Sequence, residues 1–240
     1  MNLNSNFVVV LSHPEIAENI GSVARCMVVF GIQELRLVGI KPLTEDSRAL
    51  ITARSGEPIL KSVKYFADVR EAIADCNQAF GFTRRSRNKE QKLYDLPDLA
   101  AQFENTRTAL VFGCESQGLT EWEILQMTHL ARIPPTHSES SLNLSHAVAI
   151  ALYALVNAPK KNETEEDEVS RQDRVTIEES QAALTEILDT MDRSGFLARG
   201  KKEISKRKKF RILWQRLHPT RGELNFLSGA LHSLIKKVEP

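Results

Sequence analysis

Three short motifs in the first two-thirds of the chain combine small residues with polar side chains. The first runs from Asn19 to Arg25 (NIGSVAR), and the second runs from Leu110 to Thr120 (LVFGCESQGLT). The third begins at Ile133 (IPP) and continues over residues 140–145 (SSLNLS). Small residues let a ligand approach the backbone, and each motif adds a polar group that could act on that ligand. The motifs therefore indicate a ligand site built from three separate segments.

Each motif lies where a strand-like apolar run gives way to a helix-like pattern. Ser141 and Asn143 would lie near a helix N-terminus, where free backbone N–H groups favour ligand oxygens, including a carboxylate. These residues could instead have a purely structural role. Asn19 could be an N-cap, and Thr120 with Glu123 has capping-box spacing. No GxGxxG or Walker A pattern is present in the sequence, which argues against the commonest nucleotide-binding loops.

Residues 7 to about 157 alternate between two hydrophobic patterns. The strand-like runs are 7–11, 35–38, 79–82, 109–112 and 131–133, and several are almost continuously apolar. Helix-like stretches between them include 68–76 and 143–156. Strands that are covered on both faces have such apolar sequences, so the alternation predicts an α/β fold with a largely parallel sheet.

The composition changes after residue 157. Residues 158–174 lose the apolar period and become charged, which predicts a linker between a domain at 1–157 and a small helical extension at 175–240. Thr176 with Glu179 has capping-box spacing, as does Thr220 with Glu223. Two sets of apolar residues fall on helical faces: Phe210, Leu213, Trp214 and Leu217, and then Leu224, Leu227, Leu231 and Leu234.

The net charge of +1 hides an uneven distribution of charge. Residues 163–173 are mostly acidic, whereas residues 199–211 are mostly basic. The basic segment supplies candidate RNA contacts at Lys206, Arg207, Lys208, Lys209 and Arg211. With Trp214, this segment could bind RNA through phosphates and stacking even in a protein without catalytic activity.

The cysteines predict neither a disulfide framework nor a metal site. Cys26, Cys76 and Cys114 are odd in number, widely spaced and without a CxxC pair. The histidines show no ligand spacing, so no metal is expected. No secretory signal and no bilayer-spanning apolar stretch is present in the sequence, which predicts a soluble, cytoplasmic protein with no membrane partner.

Together the three motifs resemble those of the SPOUT class of RNA methyltransferases, in the TrmH-like branch that methylates ribose 2′-hydroxyls. The resemblance covers about the first 155 residues. It implies S-adenosylmethionine as methyl donor and a deep trefoil knot in the C-terminal part of the α/β domain, although chains in general are unknotted. It also implies an obligate homodimer in which each active site is completed across the interface.

The resemblance also assigns site residues. Arg25 matches the catalytic arginine, and Asn19, Glu115, Ser141 and Asn143 match the active-site polar groups. The methyl-donor pocket maps to Phe82, Thr83 and Arg84, to Gly113, and to Ile133, Ser140, Ser141 and Leu142. Phe82 is bulkier than the small polar residue of some relatives.

A second basic group lies beside this pocket. It consists of Arg84, Arg85 and Arg87. A solvated loop is the ordinary explanation for such a run of charges. Its position beside the methyl-donor pocket predicts phosphate contact instead.

The resemblance continues past the α/β domain. Gly195–Leu197 and Glu223–Gly229 look like the C-terminal extension of the TrmJ branch, whose bacterial members methylate cytidine or uridine at the first nucleotide of the tRNA anticodon loop. A tRNA substrate is therefore implied. The alternatives are 2′-O-methylation of another RNA, such as rRNA, and a non-catalytic RNA-binding role, against which the intact catalytic set argues.

The implied reaction is an in-line displacement at the sulfonium methyl group. The family assignment makes Arg25 the base that takes the proton of the ribose hydroxyl. Because a guanidinium stays protonated in ordinary protein environments, Arg25 could instead stabilise developing alkoxide charge and grip the adjacent phosphate. Glu115 could orient Arg25, and Asn143 with Ser141 could position the ribose.

Overall fold

The computed structural model of the 240-residue chain describes residues 6–84, 91–134, 141–158, 173–197 and 201–238. Arg85, Arg87, Ser140 and residues 159–172 of the expected linker lie outside the described residues. The chain divides into two compact units, Met1–Lys161 and Asn162–Pro240.

The first unit is built on a seven-stranded sheet whose described pairings are all parallel. The strands are β1 (Phe7–Ser12), β2 (Glu34–Val38), β3 (Lys64–Phe66), β4 (Gln78–Phe82), β5 (Leu93–Asp95), β6 (Thr108–Phe112) and β7 (His129–Arg132). Their order in the sheet is β3-β2-β1-β6-β4-β7-β5. The predicted α/β class with a parallel sheet is confirmed.

The five apolar runs of the sequence correspond to β1, β2, β4, β6 and β7. Every residue of β1, β4 and β6 is buried, as expected for strands covered on both faces. The sequence pattern does not predict β3 and β5. Both are three-residue strands at the two edges of the sheet, and their residues are partly or fully exposed, so they lack an apolar signal.

The helices of the first unit are α1 (Ala17–Val29), α2 (Arg48–Ala53), α3 (Glu57–Lys61), α4 (Val69–Ala72), α5 (Leu96–Leu99), α6 (Glu121–Ile124) and α7 (Leu144–Val156). Helix α7 fits the predicted helix at 143–156, and Asn143 is its N-cap. Helix α4 occupies only part of the stretch predicted at 68–76. Because α1 begins at Ala17, the N-cap interpretation of Asn19 is wrong.

Helix α1 packs against α2 and α7, and two glycines permit very close contact on its α2 side. A Cβ added to Gly21 would lie 2.1 Å from the carbonyl oxygen of Ala49. A Cβ added to Gly56, in the 3-10 turn Arg54–Gly56, would lie 2.6 Å from the backbone nitrogen of Arg25. A side chain at Gly21 would push α2 away from α1, and a side chain at Gly56 would push the 3-10 turn away from α1. Both α2 and the turn therefore pack directly on the backbone of α1.

A buried arginine lies near the amino ends of the strands. Arg36 in β2 donates to both carboxylate oxygens of Asp75, at 2.5 and 2.8 Å, and to Glu34 at 2.6 Å. Lys64 and Arg107 also donate to Glu34. Burial opposes ionisation of Glu34, but the hydrogen bonds from these three cations lower its pKa to about 2. Hydrogen bonds from Arg36 likewise lower the pKa of Asp75.

The second unit contains α8 (Ile177–Arg193), α9 (Lys201–Leu217) and α10 (Arg221–Val238). Its core is formed by Val175, Leu184, Ile187, Leu188, Leu197, Trp214 and Leu224. Both expected capping boxes are present, with Thr176 bonded to Glu179 and Thr220 bonded to Glu223. Among the described residues, no helix has the length and apolarity needed to cross a membrane.

The apolar face predicted for α9 is rotated from its expected position. Leu213 and Leu217 are 47% and 54% exposed, whereas Ile212 is buried. Trp214 is 5% exposed, and its indole Nε1 donates to Ser180 Oγ at 2.9 Å. Because the ring is buried and its N–H is bonded, the hypothesis that Trp214 stacks on RNA is wrong.

Candidate active site

Three neighbouring strands end at the same level of the sheet. Phe82 of β4 is paired with Phe112 of β6 on one side and with Ala131 of β7 on the other. The Phe82 and Phe112 rings are stacked, with centroids 4.4 Å apart. The backbone N–H of Thr83 then donates to the Ala131 carbonyl at 2.9 Å. The segments that follow these strands, which carry the predicted methyl-donor pocket, therefore leave the sheet side by side.

The loop after β6 folds back tightly on itself. A Cβ on Gly113 would lie 2.1 Å from the carbonyl carbon of Gly118, so no larger residue fits there without a shift of the backbone. Gly118 has a φ of +68° and donates its N–H to the carbonyl of Cys114 at 2.9 Å. A Cβ on Gly118 would meet no atom within 4 Å, so the outer side of this loop is open.

A chain of hydrogen bonds joins three of the predicted active-site residues. Asn143 Nδ2 donates to Asn19 Oδ1 at 2.9 Å, and Asn19 Nδ2 donates to Glu115 Oε1 at 2.6 Å. The other carboxylate oxygen of Glu115 accepts the backbone N–H of Glu15 at 2.9 Å. The structure therefore brings the three motifs together at the carboxyl edge of the sheet.

Ser145 fixes the orientation of the side-chain amide of Asn143. Its backbone N–H and its hydroxyl both donate to Asn143 Oδ1, at 2.9 and 2.8 Å. Because both bonds require an acceptor, the amide nitrogen of Asn143 must face Asn19. Sequence analysis did not assign this role to Ser145. The signal that could have found it is a hydroxyl residue two positions after an asparagine N-cap.

Arg25 lies apart from this hydrogen-bond chain. It is six residues beyond Asn19 on α1, which places it about 120° away around the helix axis. Its side chain is exposed and, among the described residues, has no hydrogen-bond or ion-pair partner. Glu115 does not bond to it within the chain; its carboxylate oxygens accept from Asn19 and Glu15. Within one chain, therefore, Glu115 contacts Asn19, and the orientation of Arg25 by Glu115 stays a prediction.

The remaining described pocket residues lie around the same edge. Ser141 and Leu142 precede α7 and are exposed, Leu142 by 49%. Ile133 is partly buried just after β7, and Arg84 is exposed two residues after β4. In the described part of the chain, no three His, Cys, Asp or Glu side chains are grouped as metal ligands.

The capping box of α6 also joins this region to the end of β1. Glu123 is buried and accepts the backbone N–H of Thr120 at 2.6 Å. Its other oxygen accepts the hydroxyl of Ser12, the last residue of β1. The structural reading of Thr120 and Glu123 is therefore confirmed, and it holds the loop that presents Glu115.

The predicted basic residues of the second unit differ in their availability. Lys206 donates to the Phe196 carbonyl at 2.5 Å, and Arg207 is paired with Glu203 at 3.1 Å and with Asp192 at 3.5 Å. Lys208 and Arg211 are partly buried, and Lys209 is exposed. Arg216, which the sequence analysis did not include, is also exposed on α9.

The chain belongs to the SpoU rRNA Methylase family, whose model matches residues 6–153. Over 238 residues it is 30% identical to the tRNA (cytidine/uridine-2′-O-)-methyltransferase TrmJ of Citrobacter koseri, covering 95% of this chain and 96% of that protein. It is 32% identical over 160 residues to the tRNA (cytidine-2′-O-)-methyltransferase TrmJ of Methanocaldococcus jannaschii, covering 64% and 69% of the two chains. The expected kinship with SPOUT enzymes of the TrmJ branch is confirmed.

Solved structures show the same fold. TrmJ from Z. mobilis ZM4 superposes with a TM-score of 0.80 at 24% identity, covering 95% of this chain and 98% of that one. The SpoU methyltransferase AviRb from Streptomyces viridochromogenes, in complex with AdoMet, superposes with a TM-score of 0.52 at 22% identity. The latter likeness covers 63% of this chain and 57% of AviRb.

Proposed function

We propose that this protein is an S-adenosylmethionine-dependent tRNA 2′-O-ribose methyltransferase that acts on cytidine or uridine at the first nucleotide of the anticodon loop. The observation that carries this proposal is the hydrogen-bond chain from Asn143 through Asn19 to Glu115, beside the ends of β6, β4 and β7. The tRNA substrate is supported by likeness to a tRNA (cytidine/uridine-2′-O-)-methyltransferase over 95% of the chain, which extends well beyond the family match at 6–153.

The proposal assigns a separate role to each of three segments of the chain. Residues 1–157 form the methyltransferase domain with the trefoil knot, residues 158–174 are a linker, and residues 175–240 recognise tRNA. Family membership and the shared fold support the first assignment, and the exposed cations Lys209 and Arg216 support the last. A tRNA-modifying role is consistent with a cytoplasmic protein.

The residues at the carboxyl edge suit S-adenosylmethionine. The loop of Gly113 is open at Gly118, which lets an extended ligand lie along its backbone, and exposed Leu142 offers apolar surface for an adenine ring. Thr83 and Ile133 border the same edge. When bound, S-adenosylmethionine would supply a sulfonium methyl group: the ribose 2′-oxygen would bond to the methyl carbon in line as the methyl–sulfur bond breaks, releasing S-adenosylhomocysteine, and the hydroxyl proton would pass to solvent.

The polar residues would position the ribose and stabilise charge. Asn143 retains one amide hydrogen beyond its bond to Asn19, and Ser141 lies two residues away with an exposed hydroxyl. These groups can hold the ribose in one orientation. Arg25 is exposed and unpaired among the described residues, so its guanidinium is available to stabilise negative charge on the 2′-oxygen.

A homodimer is the second part of the proposal. Four apolar side chains are exposed on the neighbouring helices α1 and α7: Val28, Val29, Ile150 and Tyr153. Val29 is 75% exposed and Tyr153 is 64% exposed. Arg25 precedes Val28 and Val29 by one helical turn. A second copy that covers this patch would therefore meet Arg25, which can then complete the site of the partner subunit.

Incubation with labelled S-adenosylmethionine and unmodified tRNA tests the reaction. Mass mapping after nuclease digestion should place one methyl group on the ribose of a cytidine or uridine in the anticodon loop. Parallel reactions with rRNA test the alternative substrate. Label found on bases alone would contradict 2′-O-methylation. Label found on rRNA alone would show that rRNA, and not tRNA, is the substrate.

Mixing two inactive variants tests whether the site is shared. Arg25→Ala and Asn143→Ala each disable every site in their own homodimers. If Arg25 acts in the site of the partner subunit, subunit exchange restores one complete site in each mixed dimer. Activity in the mixture should then approach about half of the wild-type value per mixed dimer. If Arg25 acts within its own chain, no mixed dimer contains a complete site and the mixture stays inactive.

A further inference from the structure

We propose that Arg54 binds a phosphate of the substrate RNA, beside the nucleotide on which Arg25 acts. This inference rests on the proposed function and adds a binding residue to it. Arg54 lies between α2 and α3, outside the three motifs, and no sequence signal singled it out.

The backbone of Arg54 is strained. Its φ of 47° and ψ of −111° fall in a region that residues with a Cβ rarely adopt and that glycine adopts readily. Backbone outliers of this kind persist where the surroundings force them, and they concentrate at sites that bind ligands. An arginine at a position suited to glycine therefore points to a use for its side chain.

The surroundings force this conformation from both sides. Before Arg54, a Cβ on Gly21 would lie 2.9 Å from the backbone nitrogen of Ala53. After Arg54, a Cβ on Gly56 would lie 2.5 Å from the backbone carbon of Ala24 and 2.6 Å from the nitrogen of Arg25. The turn is thus held against α1 on each side of the strained residue.

These contacts also fix where Arg54 lies relative to Arg25. Gly56 touches the Arg25 backbone, and two residues of chain span at most about 7 Å. Both guanidinium groups therefore originate from one rigid part of the surface. Arg54 therefore lies close to Arg25 whether Arg25 acts in its own active site or in that of a partner subunit.

The charge of Arg54 is not neutralised within the described part of the chain. The nearby Arg48 is paired with Glu18 at 2.9 Å, but Arg54 is exposed with no ion-pair or hydrogen-bond partner among the described residues. An arginine fork fits phosphate oxygens in a bidentate manner. An RNA chain presents a phosphate on each side of the methylated ribose, so an unpaired arginine beside Arg25 suits one of these phosphates.

The variant Arg54→Gly separates this role from a structural one. Glycine accepts the backbone conformation, so the melting temperature should be unchanged or higher, and affinity for S-adenosylmethionine should be unchanged. The KM for tRNA should rise roughly tenfold, as expected for the loss of one charged hydrogen-bonded contact. The slope of log affinity against log salt should fall by about 0.7 to 0.9, as for one lost phosphate contact.

Two further variants complete the test. Arg54→Lys keeps the charge without the fork and should show an intermediate KM. Arg70→Ala removes an exposed arginine on α4 and should match the wild type in KM and salt dependence. If the wild type methylates tRNA and Arg54→Gly has the same KM and salt slope, the inference about Arg54 is wrong while the proposed function stands. If the wild type methylates no RNA, the proposed function itself fails.

Discussion

The side-chain amide of Asn143 donates to the side-chain oxygen of Asn19 at 2.9 Å, although 124 residues separate the two in the chain. Since Ser145 occupies the oxygen of Asn143, this bond can run in one direction only. Asn19 must then present its nitrogen to Glu115. The orientation of two amides and the position of one carboxylate are therefore set from a single serine at the start of α7, before any substrate binds.

Replacing Asn19 by aspartate should make activity depend strongly on pH. Asn19→Asp places a second carboxylate 2.6 Å from Glu115, where two negative charges repel each other unless the pair takes up a proton. A shared proton restores a donor between them. Activity should therefore be low near pH 8.5 and rise as the pH falls toward 6, in an initial-rate profile with tRNA.

Asn19→Ala is the control for this profile. It removes the donor without adding a charge, so its activity should be low at every pH in that range. An Asn19→Asp profile parallel to that of Asn19→Ala would contradict direct coupling between residue 19 and Glu115.

Removing the Ser145 hydroxyl should slow the reaction by way of Asn143. Ser145→Ala leaves only the backbone N–H to hold Asn143 Oδ1, so kcat should fall roughly threefold to tenfold with little change in melting temperature. Ser145→Thr keeps a hydroxyl and should restore most of the rate. In an Asn143→Ala background, Ser145→Ala should not change the small residual rate measured in single-turnover reactions at high enzyme concentration, because the group it orients is gone. Additive losses in the double variant would show that Ser145 acts independently.

Replacing Arg25 should affect catalysis more than binding of the methyl donor. Arg25 lies on a different face of α1 from Asn19, so Arg25→Ala should lower kcat by at least about 100-fold while calorimetry shows nearly unchanged affinity for S-adenosylmethionine. Arg25→Lys tests whether charge alone is sufficient. A large loss of donor affinity in Arg25→Ala would place this residue in the donor pocket instead.

The exposed cations of α9 should contribute to tRNA affinity and not to stability. Lys209→Ala combined with Arg216→Ala should weaken tRNA binding and reduce its salt dependence, with an unchanged melting temperature. Arg207→Ala is the matched comparison, because Arg207 is paired with Glu203 and Asp192 and its loss should lower the melting temperature. Equal tRNA affinity in the double variant and the wild type would argue against RNA recognition by this helix.

The ion pairs near the amino ends of the strands should make stability sensitive to acid. The pKa of Glu34 is lowered from 4.5 to about 2, so its contribution is present above pH 4.5 and is lost as the pH falls through about 2. Glu34→Gln should lower the melting temperature at pH 7 by roughly 3–6 °C. The difference from the wild type should shrink between pH 4.5 and 2. Glu45→Gln changes an exposed carboxylate and should follow the wild-type curve throughout.

Apolar patterning was enough to predict the strands that build the interior of the sheet, because those strands are buried on both faces. It failed at β3 and β5, where three partly or fully exposed residues carry no pattern. It also misplaced the buried face of α9. Leu213 and Trp214 differ by only 100° around a helix, and periodicity alone did not indicate that Trp214 is buried while Leu213 is exposed.

The candidate site was partly readable because its polar residues lie in motifs with small neighbours. Asn19, Glu115 and Asn143 were predicted to act together, and the structure joins them by hydrogen bonds. The hydrogen bond from the backbone N–H of Glu15 to Glu115 could not be predicted from the sequence, because almost every residue type supplies a backbone N–H. The strained backbone of Arg54 could not be predicted either, because it arises from contacts of Gly21 and Gly56 between segments that are distant in sequence.

The place of β6 in the sheet has a consequence for biosynthesis. Strand β1 pairs with β6, whose residues are about 100 positions later, and Asn19 meets Asn143 only after a further stretch of chain has been made. At a synthesis rate of about 5–20 residues per second, Asn143, which lies 124 positions after Asn19, emerges roughly 6–25 s later. For most of that interval, until residue 112 emerges, the β6-facing side of β1 has no native strand to pair with. A nascent chain with one apolar strand edge uncovered for this long is exposed to misassociation, so chaperone binding during translation should matter most before residue 112 emerges.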